Sequence, residues 1–206
     1  ALAPMAGLTS QPSLNALIAA LRGGPHDTGV KNKDLQSLAD YWEAVREYYG
    51  PFECGLKSGT AEVYYHEIPG GQYSNLRPQV ASLGLLHRWN DVKHAFAVVN
   101  QLVGDIPKVT PSSKMVGDFA TFLVQNDLLV MRDTLAESCA ATRVKLLERA
   151  ARLDFPVSVV QYFQGHLGQA AVEVVDEDHQ AVGLVVEGGA DPLGELALEV
   201  IEEGRV

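Results

Sequence analysis

Residues 104–118, GDIPKVTPSSKMVGD, bring together side chains that can bind a ligand and move a proton. Thr110 and Ser113 carry hydroxyl groups, each of which can donate and accept a hydrogen bond. Lys114 adds an ammonium group directly after Ser113. At the start of a helix, where backbone N–H groups are exposed, this combination favours a carbonyl, ureido or anionic group. The segment is therefore a candidate binding or proton-transfer site.

A helix start explains part of the same segment without any function. Thr110 is suited to cap a helix and Pro111 to occupy its first turn. Lys114 is not explained in this way, because a lysine in the first turn meets the positive end of the helix dipole, which costs about 0.3–1 kcal/mol. Asp118 offsets only part of that cost, because lysine before aspartate is the weaker order of such a pair. From the residues alone, a helix cap and a ligand site both stay open.

Composition indicates a folded protein without a membrane-spanning segment. The chain has 206 residues, of which 47% are hydrophobic and 20% are charged, as in ordinary globular proteins. No apolar run approaches the roughly 20 residues that span a bilayer, and the first residues lack the basic and apolar regions of a secretory signal. Cys54 and Cys139 are not at metal-ligand spacing, and free thiols suit a reducing compartment. We therefore expect a cytoplasmic protein.

The net charge of −10 is concentrated at the carboxyl end of the chain. Residues 173–206 contain ten acidic residues and one basic residue, whereas the rest of the chain contains 16 acidic and 15 basic residues. The nearly neutral part shows no basic face for nucleic acid, and the acidic part would repel phosphates. Nucleic acid is therefore not predicted as a partner, and residues 170–206 are interpreted as an acidic, atypical tail.

Hydrophobic periodicity predicts a mostly α chain with few short strands. Residues 61–68 are rich in β-branched and aromatic side chains and predict a strand, and Ser74 is a candidate cap for the helix that follows. An aromatic and aliphatic stripe within residues 35–49 predicts a buried face, with ligand stacking as the alternative. The predicted helices span 14–21, 33–49, 75–83, 90–103, 111–126, 132–152 and 155–167.

Several long motifs resemble the carboxyltransferase part of the pyruvate carboxylase family. They occur in one order along the chain: GLTSQPS (7–13), YWEAVREYY (41–49), HEIPGGQYSNL (66–76), GDIPKVTPSSKMVGD (104–118), FLVQN (122–126) and LDFPVSVVQYFQGHLGQ (153–169). The resemblance covers residues 1–169. It implies a helical C-terminal region that follows the last strand of a TIM-barrel carboxyltransferase domain.

The resemblance also implies a reaction and residue roles. In that family a barrel binds a divalent metal and pyruvate, and biotin carried on another domain brings the carboxyl group that converts pyruvate to oxaloacetate. By the VTPSSK motif, Thr110 is implied to be the catalytic residue that passes a proton, and Ser113 and Lys114 are implied to contact biotin. The family's metal ligands precede the GLTSQPS segment and include an HxH motif that this sequence lacks, so no metal ligand is assigned here.

The partners implied are the rest of a longer carboxylase: the barrel, the biotin carboxylase and biotin carrier domains, pyruvate, and further copies in a homo-oligomer. The sequence is thus interpreted as part of a longer chain and is expected to be inactive alone. The acidic tail contains no lysine, so it cannot be a biotin attachment segment. Two alternatives stay open: a non-catalytic helical interaction module that binds through the aromatic face of 35–49, and an oxaloacetate decarboxylase α-type subunit.

Overall fold

The computed structural model describes residues 1–59, 61–166, 174–175 and 181–182, and helices dominate them. The mostly α prediction is confirmed. In the described part, none of the helices is both long and apolar enough to cross a membrane. The helices are α1 (Leu14–Leu21), α2 (Asn32–Tyr49), α3 (Val63–His66), α4 (Gly70–Ser82), α5 (Trp89–Leu102), α6 (Ser112–Gln125), α7 (Leu135–Leu147) and α8 (Val157–Phe163).

The chain divides into two compact units, and the first comprises Ala1–Leu83. Helix α1 begins at a serine cap, because the Ser13 hydroxyl accepts a hydrogen bond from the Ala16 N–H at 3.3 Å. Helix α2 packs against α1 and against the 3₁₀ turn Ala3–Met5. Arg46 fastens this contact by donating to the Pro4 carbonyl and to Glu53. Both helices lie where the periodicity predicted them.

The prediction that the aromatic stripe of α2 is buried is wrong for the described structure. Tyr41, Tyr48 and Tyr49 are 60%, 82% and 52% exposed. Helix α2 buries Ala39 instead, because the contact with α1 and the 3₁₀ turn covers only one edge of its apolar face. The rest of that face is a large exposed apolar surface, which in soluble proteins marks an interaction site.

The predicted strand at 61–68 is also wrong, because residues Val63–His66 form the one-turn helix α3. Val63, Tyr64 and Tyr65 are exposed there, and Ile68 is the buried residue of the segment. The run has strand-forming residue types but lacks the alternation that would bury one face of a sheet. The residue types favoured a strand. The local packing buries only Ile68, so no sheet face is formed.

Helix α4 begins at Gly70, five residues before the predicted start. Pro69 precedes it with extended backbone, and its carbonyl accepts the Tyr73 N–H at 2.8 Å. The Ser74 hydroxyl donates to the Gly71 carbonyl within the helix, so Ser74 is not the predicted cap. The early start lays the Gly70 backbone directly against the backbone of Thr9, where a Cβ atom would lie 1.8 Å from the Thr9 carbonyl oxygen.

The second unit begins at Gly84 and is built around α5, which packs against both α6 and α7. The predicted inward faces of α5 and α6 are confirmed, because these positions are almost fully buried. They are Val92, Ala95, Phe96, Val99, Leu102 and Val103 around α5, and Met115, Phe119, Phe122 and Leu123 on α6. This interface is the hydrophobic core that supports the start of α6.

Helix α8 is held on α6 by aromatic packing. The Phe155 ring, just before α8, lies 5.1 Å from Phe122 and 6.3 Å from Phe119, as measured between ring centroids. Farther along α8, the Tyr162 hydroxyl donates to the Val103 carbonyl at 3.5 Å, and burial raises the pKa of this phenol. These contacts fix the position of α8 beside α6.

Helix α7 occupies the middle of the predicted 132–152 segment. Thr134 and Glu137 form a capping box that fixes its start. Its Ser138 hydroxyl accepts the Arg132 N–H, and its Thr142 hydroxyl accepts the Val130 N–H, both at 2.9 Å. The linker before α7 is thereby tied back to the helix. A 3₁₀ turn, Ala150–Arg152, completes the predicted helical region.

His94 joins α5 to α7 and is expected to make stability sensitive to acid. Its Nε2 lies 3.5 Å from the Ser138 hydroxyl oxygen, and burial lowers the imidazole pKa below its ordinary value, opposed in part by Asp91. The unfolded chain therefore binds the proton more readily, and the free energy of unfolding should fall as pH drops below about 6.5. We expect His94→Gln to flatten this dependence in urea unfolding measured at several pH values. A flattening caused instead by His26→Gln, at an exposed position, would contradict this assignment.

Two short strands, Val174–Val175 and Ala181–Val182, pair antiparallel with Val174 opposite Val182. They agree with the expectation of few short strands, although the sequence did not place them here. Apart from these four residues, the predicted tail of 170–206 lies outside the described residues.

Candidate functional site

The candidate site lies on the loop between α5 and α6 and on the first turn of α6. Helix α5 ends where Gly104 and Asp105 adopt left-handed backbone, with φ values of 86° and 55°. The Asp105 carboxylate accepts from the Asn100 side chain at 2.5 Å and lies 3.7 Å from the Lys108 ammonium. These contacts order the loop and therefore define the position of Thr110.

Ser112 is the residue that locks this loop onto α6. Its hydroxyl lies 2.7 Å from both the Pro107 and the Val109 carbonyl oxygens, and its side chain is fully buried. The next backbone N–H, that of Ser113, donates to Val109 at 2.9 Å. Ser112 has a structural role here.

The prediction that Thr110 caps α6 is wrong. The cap position belongs to Pro111, which has no side-chain cap bond, and a cis peptide bond joins Thr110 to Pro111. Within the part of the chain that the structure describes, the Thr110 hydroxyl is exposed and no hydrogen bond engages it. Because Ser112 satisfies the backbone of this turn, the Thr110 hydroxyl is left available to a bound molecule.

Lys114 projects from the first turn of α6 and is 63% exposed. Its ammonium lies 2.5 Å from Oδ2 of Asp118, one turn farther along the helix. An ammonium has three N–H donors, so this ion pair leaves two for another acceptor. The ion pair offsets part of the cost of a lysine at the positive end of a helix, and the unused donors keep a binding role open.

Asp118 and Ser158 are the site residues that sequence reasoning did not assign. The Ser158 hydroxyl, on α8, donates to the same Asp118 Oδ2 at 2.6 Å. Asp118 was recognised as a partner of Lys114 from their spacing. Its contact with Ser158 joins residues forty positions apart, and no local pattern indicates it.

The structure thus gathers all three predicted site residues at one helix start. Ser113 occupies the second position of α6 and is 9% exposed, Lys114 follows it, and Thr110 immediately precedes the cap residue. Chemically, the arrangement offers one hydroxyl able to exchange a proton and an ammonium able to hold a carbonyl or ureido oxygen.

A metal ion does not fit the residues described here. Among residues 1–59 and 61–166, no three histidine, cysteine, aspartate or glutamate side chains are grouped so that they could share one ion. No step is therefore derived through a metal on this chain, and the prediction that the ligands lie elsewhere in a longer protein stays a prediction.

Comparison with solved structures defines the class of protein. The carboxyl transferase domain of Rhizobium etli pyruvate carboxylase matches with a TM-score of 0.67 and 44% identity, over 81% of this chain and 26% of that one. A structure of the same domain with pyruvate and biocytin matches with a TM-score of 0.65 and 43% identity, over the same shares. The helices therefore correspond to the helical part of a carboxyl transferase domain.

A family model described as the conserved carboxylase domain matches residues 63–188, and the chain belongs to this family. Pyruvate carboxylase 1 of Caenorhabditis elegans is 50% identical over 167 residues, which are 80% of this chain and 13% of the relative. The Staphylococcus aureus pyruvate carboxylase is 47% identical over 182 residues, which are 88% of this chain and 15% of the relative. The predicted resemblance to pyruvate carboxylase is confirmed, and the chain spans about a seventh of the length of these relatives.

Proposed function

We propose that this chain forms the helical part of the carboxyltransferase region of a biotin-dependent pyruvate carboxylase, which converts pyruvate to oxaloacetate. The observation that carries the proposal is the start of α6. There the exposed Thr110, whose hydroxyl has no hydrogen bond among the described residues, is followed within about one helical turn by Ser113 and the exposed Lys114. The identity to pyruvate carboxylases and the related structure with pyruvate and biocytin support it.

Each residue has a separate role in this proposal. Thr110 would be the catalytic residue, because a hydroxyl can accept the proton leaving the pyruvate methyl group while donating its own proton to biotin. Ser113 and Lys114 hold the ureido group of biotin, because both can donate hydrogen bonds to its oxygen. Biotin, when carboxylated, supplies the carboxyl group that pyruvate takes up. Lys114 adds a positive charge that orients the oxygen it holds.

The remainder of the machinery is proposed to lie in other parts of the protein. Residues 1–169 would pack beside a barrel that binds pyruvate and a divalent metal, and residues 170–206 would form a separate acidic tail. The biotin carboxylase and biotin carrier domains would complete a cytoplasmic, homo-oligomeric enzyme. Residues 1–206 alone are expected to be inactive, because the proposed barrel that binds pyruvate would lie in another part of the protein.

A second candidate function is a helical interaction module. The exposed aromatic face of α2, which includes Tyr41, Tyr48 and Tyr49, favours it. In that case the start of α6 would be an inherited structural feature without a ligand. The two candidates make different predictions for biotin binding.

Titration of biotin into the chain, followed by calorimetry or ligand-observed NMR, separates them. We expect weak binding by the wild type, no detectable binding by Lys114→Ala, and retained binding by Thr110→Ala. Lys114→Ala should lose biotin binding, because the lysine ammonium contributes a charge-assisted hydrogen bond to biotin. Thr110→Ala should keep it, because Thr110 is proposed to transfer the pyruvate proton and not to hold biotin.

Lys33→Ala is the matched control, because Lys33 also lies in the first turn of a helix and is exposed. It should bind biotin like the wild type. Absence of binding by a wild-type chain that shows a cooperative helical unfolding transition would favour the interaction module.

A further inference from the structure

A continuous chain of polar contacts links Lys114 to a different helix. The Lys114 ammonium pairs with Asp118 Oδ2 at 2.5 Å, and the same oxygen accepts the Ser158 hydroxyl at 2.6 Å. Lys114 and Asp118 lie on α6, whereas Ser158 lies on α8. The carboxylate is therefore held from two sides, which an isolated pair on one helix surface would not achieve.

The Asp118 side chain is much more buried than that of its partner Lys114. The side chain of Lys114 is 63% exposed, whereas that of Asp118 is 22% exposed. A carboxylate this sheltered has few positions open to it, because water can replace little of what Ser158 and Lys114 provide. The exposed ammonium is thus tied to a sheltered and fixed acceptor.

Helix α8 is itself anchored independently of this contact. Phe155 packs on Phe119 and Phe122 at one end, and Tyr162 reaches the Val103 carbonyl at the other. Ser158 lies between these two anchors, so its hydroxyl is a fixed donor rather than part of a mobile segment. The position of α8 therefore helps to set the position of the Lys114 ammonium, through Ser158 and Asp118.

We propose that Asp118, held by Ser158, is a positioning residue for the Lys114 ammonium that binds the ureido oxygen of biotin. This rests on the proposed function. Asp118 limits the positions of the lysine side chain before the ligand arrives, which lowers the entropy that binding must remove. It occupies one N–H of the ammonium and leaves two that can donate to the ligand.

The first test measures the order of the Lys114 side chain by NMR relaxation of its methylene carbons in the intact chain without ligand. We expect Lys114 to be more ordered than the exposed Lys33, and to become as mobile as Lys33 in Asp118→Asn and Ser158→Ala. Ser158→Thr keeps the hydroxyl and should keep Lys114 ordered. A Lys114 as mobile as Lys33 in the wild type, or unaffected by Ser158→Ala, would overturn the proposal.

The second test measures biotin affinity in the same variants, with circular dichroism to verify their folding. Ser158→Ala should bind about three- to tenfold more weakly than the wild type, and Ser158→Thr should bind equally well. An unchanged affinity in a Ser158→Ala chain whose Lys114 has become mobile would overturn the link to the ligand. If the wild type binds no biotin, the proposed function fails, while the order of Lys114 still decides whether Asp118 positions it.

Discussion

Replacing Thr110 by alanine is expected to lower oxaloacetate formation by about 10²–10⁴-fold, the usual effect of losing a general acid–base group. The reason is local: the Thr110 hydroxyl is exposed and has no hydrogen bond among the described residues, whereas Ser112 bonds the loop to α6. The substitution therefore removes a proton carrier and leaves the support of the loop in place. Activity would be measured in a chimera in which residues 1–169 replace the matching segment of the Rhizobium etli enzyme.

Two control variants in the same chimera make this result specific. Thr110→Ser keeps the hydroxyl and should retain activity to within about tenfold, because the proton route survives. Thr134→Ala removes the hydroxyl that caps α7 and should affect stability rather than the reaction. Substantial oxaloacetate formation by Thr110→Ala would show that another group moves the proton.

Replacing Gly70 by alanine is expected to destabilise the first unit by at least about 2 kcal/mol, because the new side chain has no space. Its Cβ would lie 1.8 Å from the Thr9 carbonyl oxygen and 2.8 Å from the Thr9 carbonyl carbon. Both neighbours are backbone atoms, so the start of α4 or the turn containing Thr9 must move. The loss would appear as a lower midpoint in urea unfolding followed by circular dichroism.

The adjacent glycine provides a matched comparison. A Cβ at Gly71 would have no other atom within 4 Å, and Gly71 lies in the same first turn of α4. Gly71→Ala should therefore leave stability unchanged or raise it by up to about 1 kcal/mol, since alanine favours a helix more than glycine does. Equal midpoints for Gly70→Ala and Gly71→Ala would show that α4 does not press on Thr9 in solution.

The buried helices were the most predictable part of the fold. In α5 and α6 the apolar residues recur at helical spacing, and a neighbouring helix covers that face in each case. In α2 the spacing was equally clear, but it shows only that apolar residues share a face and not what covers them. Tyr48 is therefore 82% exposed where burial was predicted. At 61–68, residue types favoured a strand for which the local packing provides no partner.

The residues of the candidate site could be predicted from the sequence, but the contacts that hold them in place could not. The motif led to Thr110, Ser113 and Lys114, and the resemblance implied their roles. The assignment of the cap to Thr110 failed, because Ser112 takes the contacts that hold the turn. The bond from Ser158 to Asp118 depends on where α8 packs, which is decided by Phe155 and its aromatic neighbours. Such a contact follows from tertiary structure alone.

The division of labour between Ser112 and Thr110 has an evolutionary consequence. Stability and activity often oppose each other, because an active site can require flexibility or strain that weakens the fold. Here the buried Ser112 hydroxyl holds the turn by hydrogen bonds, whereas the nearby Thr110 hydroxyl makes no hydrogen bond among the described residues. We therefore expect substitutions at position 110 to have little effect on folding, so that selection could adjust or abolish the proposed chemistry of the site while the scaffold remains intact.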